Sequence, residues 1–588
     1  MYAPSHDEIA RLAYSYWQAR HGQGGSACED WLRSGAGVEA ATAISARGAM
    51  SRVLACVVLA AAAVVPARSD TPGPQTLTFV SSVDDSEQPY ALYLPRSLDP
   101  GKKYPVVISL HSEDSNHRLN LLQVLGQASR TLEGGRFSLL YAHPLDIDFI
   151  VACPLARGAM EYTGIAETDV YDLLADLQRR FPVDQDRVYL TGVSMGGGGA
   201  LRLALTRPDV WAAVAPVCPA PVPEIGELVE NAFNLPVRLF QGEQDPVTPA
   251  AAARLWQRRL LDVGVAADYF EYPAVRHNAW DFAYKDGAVF HWFDQFRRNR
   301  YPQRVRFVTE SFRYASAYWV RVDALTPGTE ASIDARQSGD GQVQVETHNL
   351  DGFTLSPDHP VTIVTIDGTA LRVKPGSLSF RKQAGRWIVG RAVPSGKRPG
   401  LEGPIAAAVS EQHIYVYGTA GDPSPAELDF RRRQAETAAH WSSSRESLML
   451  SFPVKADIAV TDEDLDSHSL VLFGTRETNS VIARFAGRLP LALSAGAADY
   501  GLLFIAALGK HYALVSSGLP WWTDFEDAGR PVDPYTPARY AELATFGDYV
   551  VFKGSLAHVV AEGRFDREWK LPADAVAKIA ATGTVIVK

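Results

Sequence analysis

The sequence predicts an α/β protein: a domain with a mostly parallel sheet, then a small β-sandwich-like domain, then a second α/β layer domain. Three observations predict it. Between about residues 75 and 300, short apolar strands alternate with amphipathic helices, the pattern of a parallel sheet with helical crossovers. After Arg298-Asn299-Arg300-Tyr301-Pro302, short strands of alternating polarity take over. Past Lys397-Arg398-Pro399-Gly400-Leu401-Glu402-Gly403-Pro404, strands followed by helices return. At 588 residues the chain is too long for one domain, and 46% hydrophobic residues are enough for several cores.

The amino terminus stands apart. Residues 1–49 read as a short helical module, with Ser5-His6-Asp7-Glu8-Ile9-Ala10 opening a helix and Trp17 and Trp31 supplying a small core. Its Ala13-Tyr14-Ser15-Tyr16-Trp17 and Glu29-Asp30-Trp31-Leu32 elements resemble a short bacterial helical domain of unknown function. Residues 50–69 read as a signal peptide or a membrane anchor. The apolar run 53–67 follows Met50-Ser51-Arg52, ends in Val65-Pro66-Ala67, and is shorter than the roughly 20 residues that span a bilayer. A start at Met50 predicts export, periplasmic or extracellular, with 1–49 absent from the mature protein. A start at Met1 predicts an anchored chain, with transient membrane association through 53–67.

Charge and metal-ligand spacing narrow the function. A net charge of −10 repels nucleic acid and anionic membrane. The four cysteines, Cys28, Cys56, Cys153 and Cys218, lack zinc-ligand spacing, and the fourteen histidines are scattered. No H-E-x-x-H, P-loop or G-x-G-x-x-G after a strand occurs, so neither a metal nor a nucleotide cofactor is expected.

Within 75–302 the elements follow in order. Tyr90–Leu94 alternates as a strand; Pro105–Leu110 and Phe149–Cys153 are apolar runs of buried strands. Thr168–Phe181 places Val170, Leu173, Leu174, Leu177 and Phe181 on one helix face. Arg187–Thr191 is a strand that runs into Gly192-Val193-Ser194-Met195-Gly196, and Gly197–Leu205 is the helix behind it. Ala212–Cys218, Val237–Gln241 and Tyr269–Tyr272 continue the sheet.

The pentapeptide is a G-x-S-x-G nucleophile elbow, in which glycines let strand and helix pass closely while the serine sits at strained φ/ψ. By itself it could be an ordinary glycine-rich turn; the strand before it and helix after it favour the elbow. A nucleophilic serine needs a base and an orienting acid. Asp245, in Gln241-Gly242-Glu243-Gln244-Asp245-Pro246-Val247-Thr248-Pro249, stands at a strand's carboxyl end, where it could otherwise cap a helix. His277, in Tyr272-Pro273-Ala274-Val275-Arg276-His277-Asn278-Ala279-Trp280, follows the last strand, where it could otherwise be a surface residue. Three such residues in the order Ser, Asp, His, each at a strand end, predict a triad.

These motifs make residues 85–300 resemble the α/β-hydrolase superfamily, in its bacterial branch of prolyl-oligopeptidase-like peptidases and polyhydroxybutyrate-depolymerase- or feruloyl-esterase-like enzymes. The resemblance implies Ser194 as nucleophile, His277 as general base and acid, and Asp245 as its orienting partner. It also implies an oxyanion hole from the backbone N–H of Met195 and a second donor in the loop after His111. There the family carries His-Gly and further glycines; this chain has His111-Ser112-Glu113-Asp114, whose Ser112 still offers a backbone donor and whose two acids bear on turnover more than on fold. In the strand order of that fold Cys153 and Cys218 lie three strands apart, roughly 14 Å at about 4.8 Å per strand, too far for a disulfide.

The downstream regions carry no second catalytic constellation. Residues 304–400 hold short strands with turn signals at Asp340-Gly341, Asp351-Gly352 and Asp367-Gly368. In 405–588, His413–Thr419 and Ser469–Thr475 echo each other as strands ending in Gly-Thr before a helix. Those ends, and Pro520-Trp521-Trp522, read as loop chemistry and buried packing rather than as ligand sites. The resulting expectation is a serine hydrolase acting on a small ester or peptide. The competing expectation is a non-catalytic binding protein that retained the fold.

Overall fold

The computed structural model describes residues 72–588 except 114, 128, 133–135, 140–144, 159, 375, 377, 393–395, 440–451, 495 and 524–542. The readings made for residues 1–49 and 50–69, Cys28 and Cys56 lie outside the described residues. Among the described residues no helix is long and apolar enough to cross a membrane.

The first sheet has eight strands. In chain order they are β1 (Gly73–Val80), β2 (Glu87–Leu94), β3 (Tyr104–Leu110), then a separate hairpin of β4 (Ser129–Leu132) and β5 (Arg136–Leu139), then β6 (Ile150–Pro154), β7 (Val183–Val193), β8 (Ala213–Val217), β9 (Val237–Gly242) and β10 (Ala267–Tyr272). Their spatial order is β1-β2-β6-β3-β7-β8-β9-β10. β1 pairs antiparallel with β2 and β2 with β6; every later pair is parallel.

All seven residues of β3 and all five of β6 and of β8 are buried, because helices cover both faces of the sheet. The strand period of two sends Val106, Ile108 and Leu110 to one core and Val107 to the other. Helix α1 (His117–Val124) packs on the second face. Helices α2 (Ile165–Arg180), α3 (Met195–Thr206) and α4 (Ala250–Asp262) pack on the first. Helix α2 starts three residues before the predicted Thr168, since Ile165 and Ala166 are also buried. Val170, Leu173, Leu174 and Leu177 do share one core, and Phe181 closes the helix against it. Cys153 and Cys218 are both free and buried.

Residues 304–389 form two five-stranded sheets that enclose one apolar cluster, with Val305, Ile333 and Val345 from one sheet against Val322, Phe353 and Phe380 from the other. Strand Ala331–Ser338 alternates buried and partly exposed positions, as one-sided burial requires. Asp367 and Gly368 both take positive φ in a two-residue turn. Asp351-Gly352 is different from its prediction. It lies inside strand Leu350–Leu355, not in a turn, and a Cβ on Gly352 would overlap the Ala392 Cβ. The glycine there serves close approach rather than reversal.

The last layer is a seven-stranded sheet. Strands Val454–Ala456, His413–Tyr417, Ser469–Phe473 and His511–Gly518 are parallel neighbours. Tyr500–Leu508, Tyr549–Lys553 and Ser555–Gly563 complete it antiparallel. The Gly-Thr end of the first echo closes internally, the Thr419 hydroxyl and N–H both donating to Asp457. Trp521 is buried and stacks on Phe473. One buried cluster runs from the first sheet into this layer, joining Leu203 and Val214 with Ile405, Tyr415, Phe473 and Leu514.

Candidate active site

Ser194 is the single residue between β7 and α3. Its backbone sits at φ 57°, ψ −116°, a conformation that costs a non-glycine residue on the order of 1–3 kcal/mol unless its surroundings impose it. Here they do. The Ser194 N–H donates to the Val217 carbonyl at 3.0 Å, and its own carbonyl accepts from Gly198 at 3.0 Å and Ala220 at 2.9 Å. A Cβ on Gly192 would overlap the Gly196 carbonyl oxygen, and one on Gly196 would overlap the Leu110 carbonyl oxygen. Both elbow glycines are thus required by the approach of strand, helix and the loop after β3.

The structure brings the three predicted triad residues together. His277 Nε2 lies 3.0 Å from Ser194 Oγ, and His277 Nδ1 lies 2.7 Å from Asp245 Oδ2. Ser194 and Asp245 are buried, at 8% and 7% exposure, while the His277 side chain keeps 21%. The Nδ1 contact to a carboxylate selects the tautomer with hydrogen on Nδ1, leaving the Nε2 lone pair facing the serine hydroxyl.

Asp245 does more than meet the histidine. Its Oδ1 accepts the N–H groups of Val247 at 2.8 Å and Thr248 at 2.9 Å, and its Oδ2 accepts the Thr248 hydroxyl at 2.8 Å and Gln241 Nε2 at 3.0 Å. Burial opposes its ionisation, but the hydrogen bonds from His277 and Thr248 outweigh burial and hold its carboxyl below the ordinary aspartate value. It is therefore a fixed anion. Sequence reasoning missed Thr248 and Gln241 as its supports, although both stand in the run that singled out Asp245.

Two further neighbours were also missed. The Trp280 ring meets the His277 ring edge-on, with centroids 5.6 Å apart. The Cys218 thiol donates to the His277 carbonyl at 3.2 Å. Donor atoms of Cys218, Asp245 and His277 lie within 4.8 Å of one another. Burial pushes the Cys218 thiol well up, so it stays protonated and joins the site as a hydrogen-bond donor.

Met195 is the first residue of α3, so its N–H has no acceptor within the helix and sits at the positive end of the helix dipole. Ser112 follows β3 by two residues, in the loop whose Leu110 carbonyl abuts Gly196. Its φ is not positive, so serine in place of the family's glycine adds no backbone strain. The buried His111 ring holds this loop. His111 Nδ1 lies 2.7 Å from the Ser112 carbonyl and Nε2 lies 2.9 Å from the Leu155 carbonyl, while the Tyr162 hydroxyl donates to the His111 carbonyl at 3.0 Å. Burial pushes the pKa of this imidazole down.

Compared with known protein families, residues 81–281 match the family described as "Putative esterase". Residues 4–40 match a family of unknown function, DUF2934. No curated protein matches the chain. Among solved structures the chain is similar to a thermostable esterase, at 24% identity over 38% of this chain and 63% of that one, with a TM-score of 0.32. It is also similar to a ferulic acid esterase, at 18% identity over 37% and 95% of the two chains and a TM-score of 0.30. An S-formylglutathione hydrolase from Agrobacterium tumefaciens is similar at 17% identity over 38% and 95%, with a TM-score of 0.31. The family match spans the elbow and both triad partners, on the sheet order described above. Residues 81–281, about a third of the chain, accordingly match an esterase family over a sheet of the α/β-hydrolase type that carries the Ser194–His277–Asp245 geometry.

Proposed function

We propose that the domain hydrolyses a carboxylic ester through an acyl-enzyme on Ser194. The single observation that carries the reading is the continuous line from Ser194 Oγ through His277 to Asp245, at 3.0 and 2.7 Å. As Ser194 Oγ attacks the acyl carbon, His277 Nε2 takes its proton, and the anionic Asp245 stabilises the imidazolium that forms. The carbonyl oxygen becomes an oxyanion, and the N–H groups of Met195 and Ser112 are assigned to it. The tetrahedral intermediate collapses, the alkoxide leaves with the proton from His277, and the acyl group remains on Ser194. Water then attacks with His277 as base, releases the acid and restores the serine.

An ester substrate is preferred to a peptide because the family match is to esterases. Steady-state turnover of p-nitrophenyl esters, beside p-nitroanilide peptides, tests this. Ester turnover that disappears in Ser194→Ala is the expected result. Anilide turnover without ester turnover would make the enzyme a peptidase, and no turnover of either by folded protein would favour the binding-protein reading. We further propose export, supported by the apolar run 53–67 and its small-residue end; the intact mass of expressed protein distinguishes a product that has lost the run from one that keeps it.

A further inference from the structure

We infer that the joint between the β-sandwich and the C-terminal layer holds a binding site for a small molecule bearing two or more phosphate or carboxylate groups. A cleft of about 580 Å³ lies there, within the usual size of small-molecule sites. Arg381, Lys382, Arg391 and Arg567 line it, against a single carboxylate, Asp351. Three guanidinium groups facing one acid is unexpected on a chain whose net charge is −10.

The one acid is already engaged. Asp351 pairs with Arg567 at 2.7 Å. Among the described residues no carboxylate pairs with Arg381 or Arg391, and both contribute to the lining. Lys382 is the next residue after Arg381 on the same strand, so its ammonium turns to the opposite face of the sheet, 4.9 Å from the centre of the Trp387 ring. Elsewhere on this molecule arginines find acids at short range, as Arg304 finds Asp334 and Arg238 finds Asp268. The two unpaired guanidinium groups are left for a ligand.

The walls come from three segments that the fold fastens together. Strand Ser379–Gln383 carries Arg381 and Lys382 and pairs with Leu350–Leu355, Arg381 opposite Gly352. Ala392, next to Arg391, packs on Gly352 so closely that no side chain fits there. The Lys397 N–H donates to the Arg567 carbonyl at 2.8 Å, and a Cβ on Gly396 would overlap that same carbonyl oxygen. The crossover from sandwich to last layer is therefore held at both ends, and the cations stand on a built frame. Guanidinium forks take phosphate or carboxylate oxygens in pairs. A single charge would leave one fork unmatched, which selects an oligoanion.

Isothermal titration of the full chain with pyrophosphate, and separately with citrate, at constant ionic strength tests the site. Saturable one-site binding of at least one of them is expected, weakened about tenfold or more in Arg381→Gln/Arg391→Gln, where both forks are lost. Chemical labelling of Ser194 by a fluorophosphonate should be unchanged in that variant, which keeps this test separate from the hydrolytic reading. Binding of pyrophosphate alone makes the natural ligand a phosphate compound, and binding of citrate alone makes it a polycarboxylate. If the double variant does not fold, Arg391→Gln alone must show weaker binding. No saturable heat with either anion, or equal affinity in a folded variant, overturns the proposal.

Discussion

Thr248 shows how much of the site depends on residues that never touch the reacting atoms. Its hydroxyl and N–H both hold Asp245, whose Oδ2 in turn holds His277. Replacing Thr248 by Val removes one hydrogen bond to a charged group, a loss of about 1.5–3 kcal/mol. A fall in kcat of roughly tenfold or more with KM nearly unchanged is expected, read from ester kinetics. Asp245→Asn is predicted to be far worse, on the order of 10⁴-fold in kcat, because an amide stabilises the wrong imidazole tautomer. Asp245 also links stability to pH. Its folded pKa lies below its ordinary value of 3.8. The stabilisation from its ionised form is thus complete above that value and lost as pH falls through the lower folded value. Urea titrations between pH 5 and 3 should show this acid-side loss in the native chain and a smaller one in Asp245→Asn. The sequence order Ser, Asp, His made the three triad members legible. Thr248 and Gln241 were not, because their roles depend on which way a loop folds back on its own carboxylate.

At the scale of elements, the elbow is set by what cannot fit. Gly196→Ala would press a methyl group into the Leu110 carbonyl oxygen, with backbone on both sides and no side chain to yield. Overpacking of this kind costs about 1–3 kcal/mol. Urea denaturation should show at least that loss, and ester turnover should fall with it as the loop after β3 is pushed from Met195. Gly352→Ala makes a parallel case in the sandwich, where the methyl meets Ala392. It should lower the thermal midpoint while leaving Ser194 reactivity intact. The first sheet was readable because β3, β6 and β8 are unbroken apolar runs and α2 has a clear apolar face. Asp351-Gly352 misled because a glycine chosen for close approach carries the same letters as a turn. Tyr500–Leu508 escaped detection for the opposite reason. At nine residues it is apolar at nearly every position and longer than β3, β6 and β8, and periodicity alone does not tell such a run from a buried helix.

Across the whole molecule the first sheet and the last layer are not independent. Leu203 and Val214 share a buried cluster with Tyr415, Phe473 and Leu514, far along the chain. Polar ties reinforce it. Glu402 accepts the Ser311 hydroxyl at 2.7 Å and the Arg313 N–H at 2.8 Å, and Arg313 pairs with Glu167 of α2 at 3.0 Å. Lys397 and Asp548 form a fully buried ion pair. Removing one partner leaves the other charge unpaired in the interior, so Asp548→Asn should cost about 3–5 kcal/mol in denaturant titrations. A fragment ending at residue 303 would expose the shared cluster and is expected to aggregate, with no soluble active species on size-exclusion chromatography. Sequence texture distinguished the three regions by strand pattern. It could not reveal their common core, because contacts between residues two hundred positions apart leave no local periodicity.

The most direct test of the account is the intact mass of native protein and of Ser194→Ala after exposure to a fluorophosphonate. A nucleophilic Ser194 predicts one adduct per chain in the native protein, mapped to the peptide that contains Ser194, and none in the variant. A folded native chain that takes up no adduct, or a variant that takes up the same adduct, would contradict it.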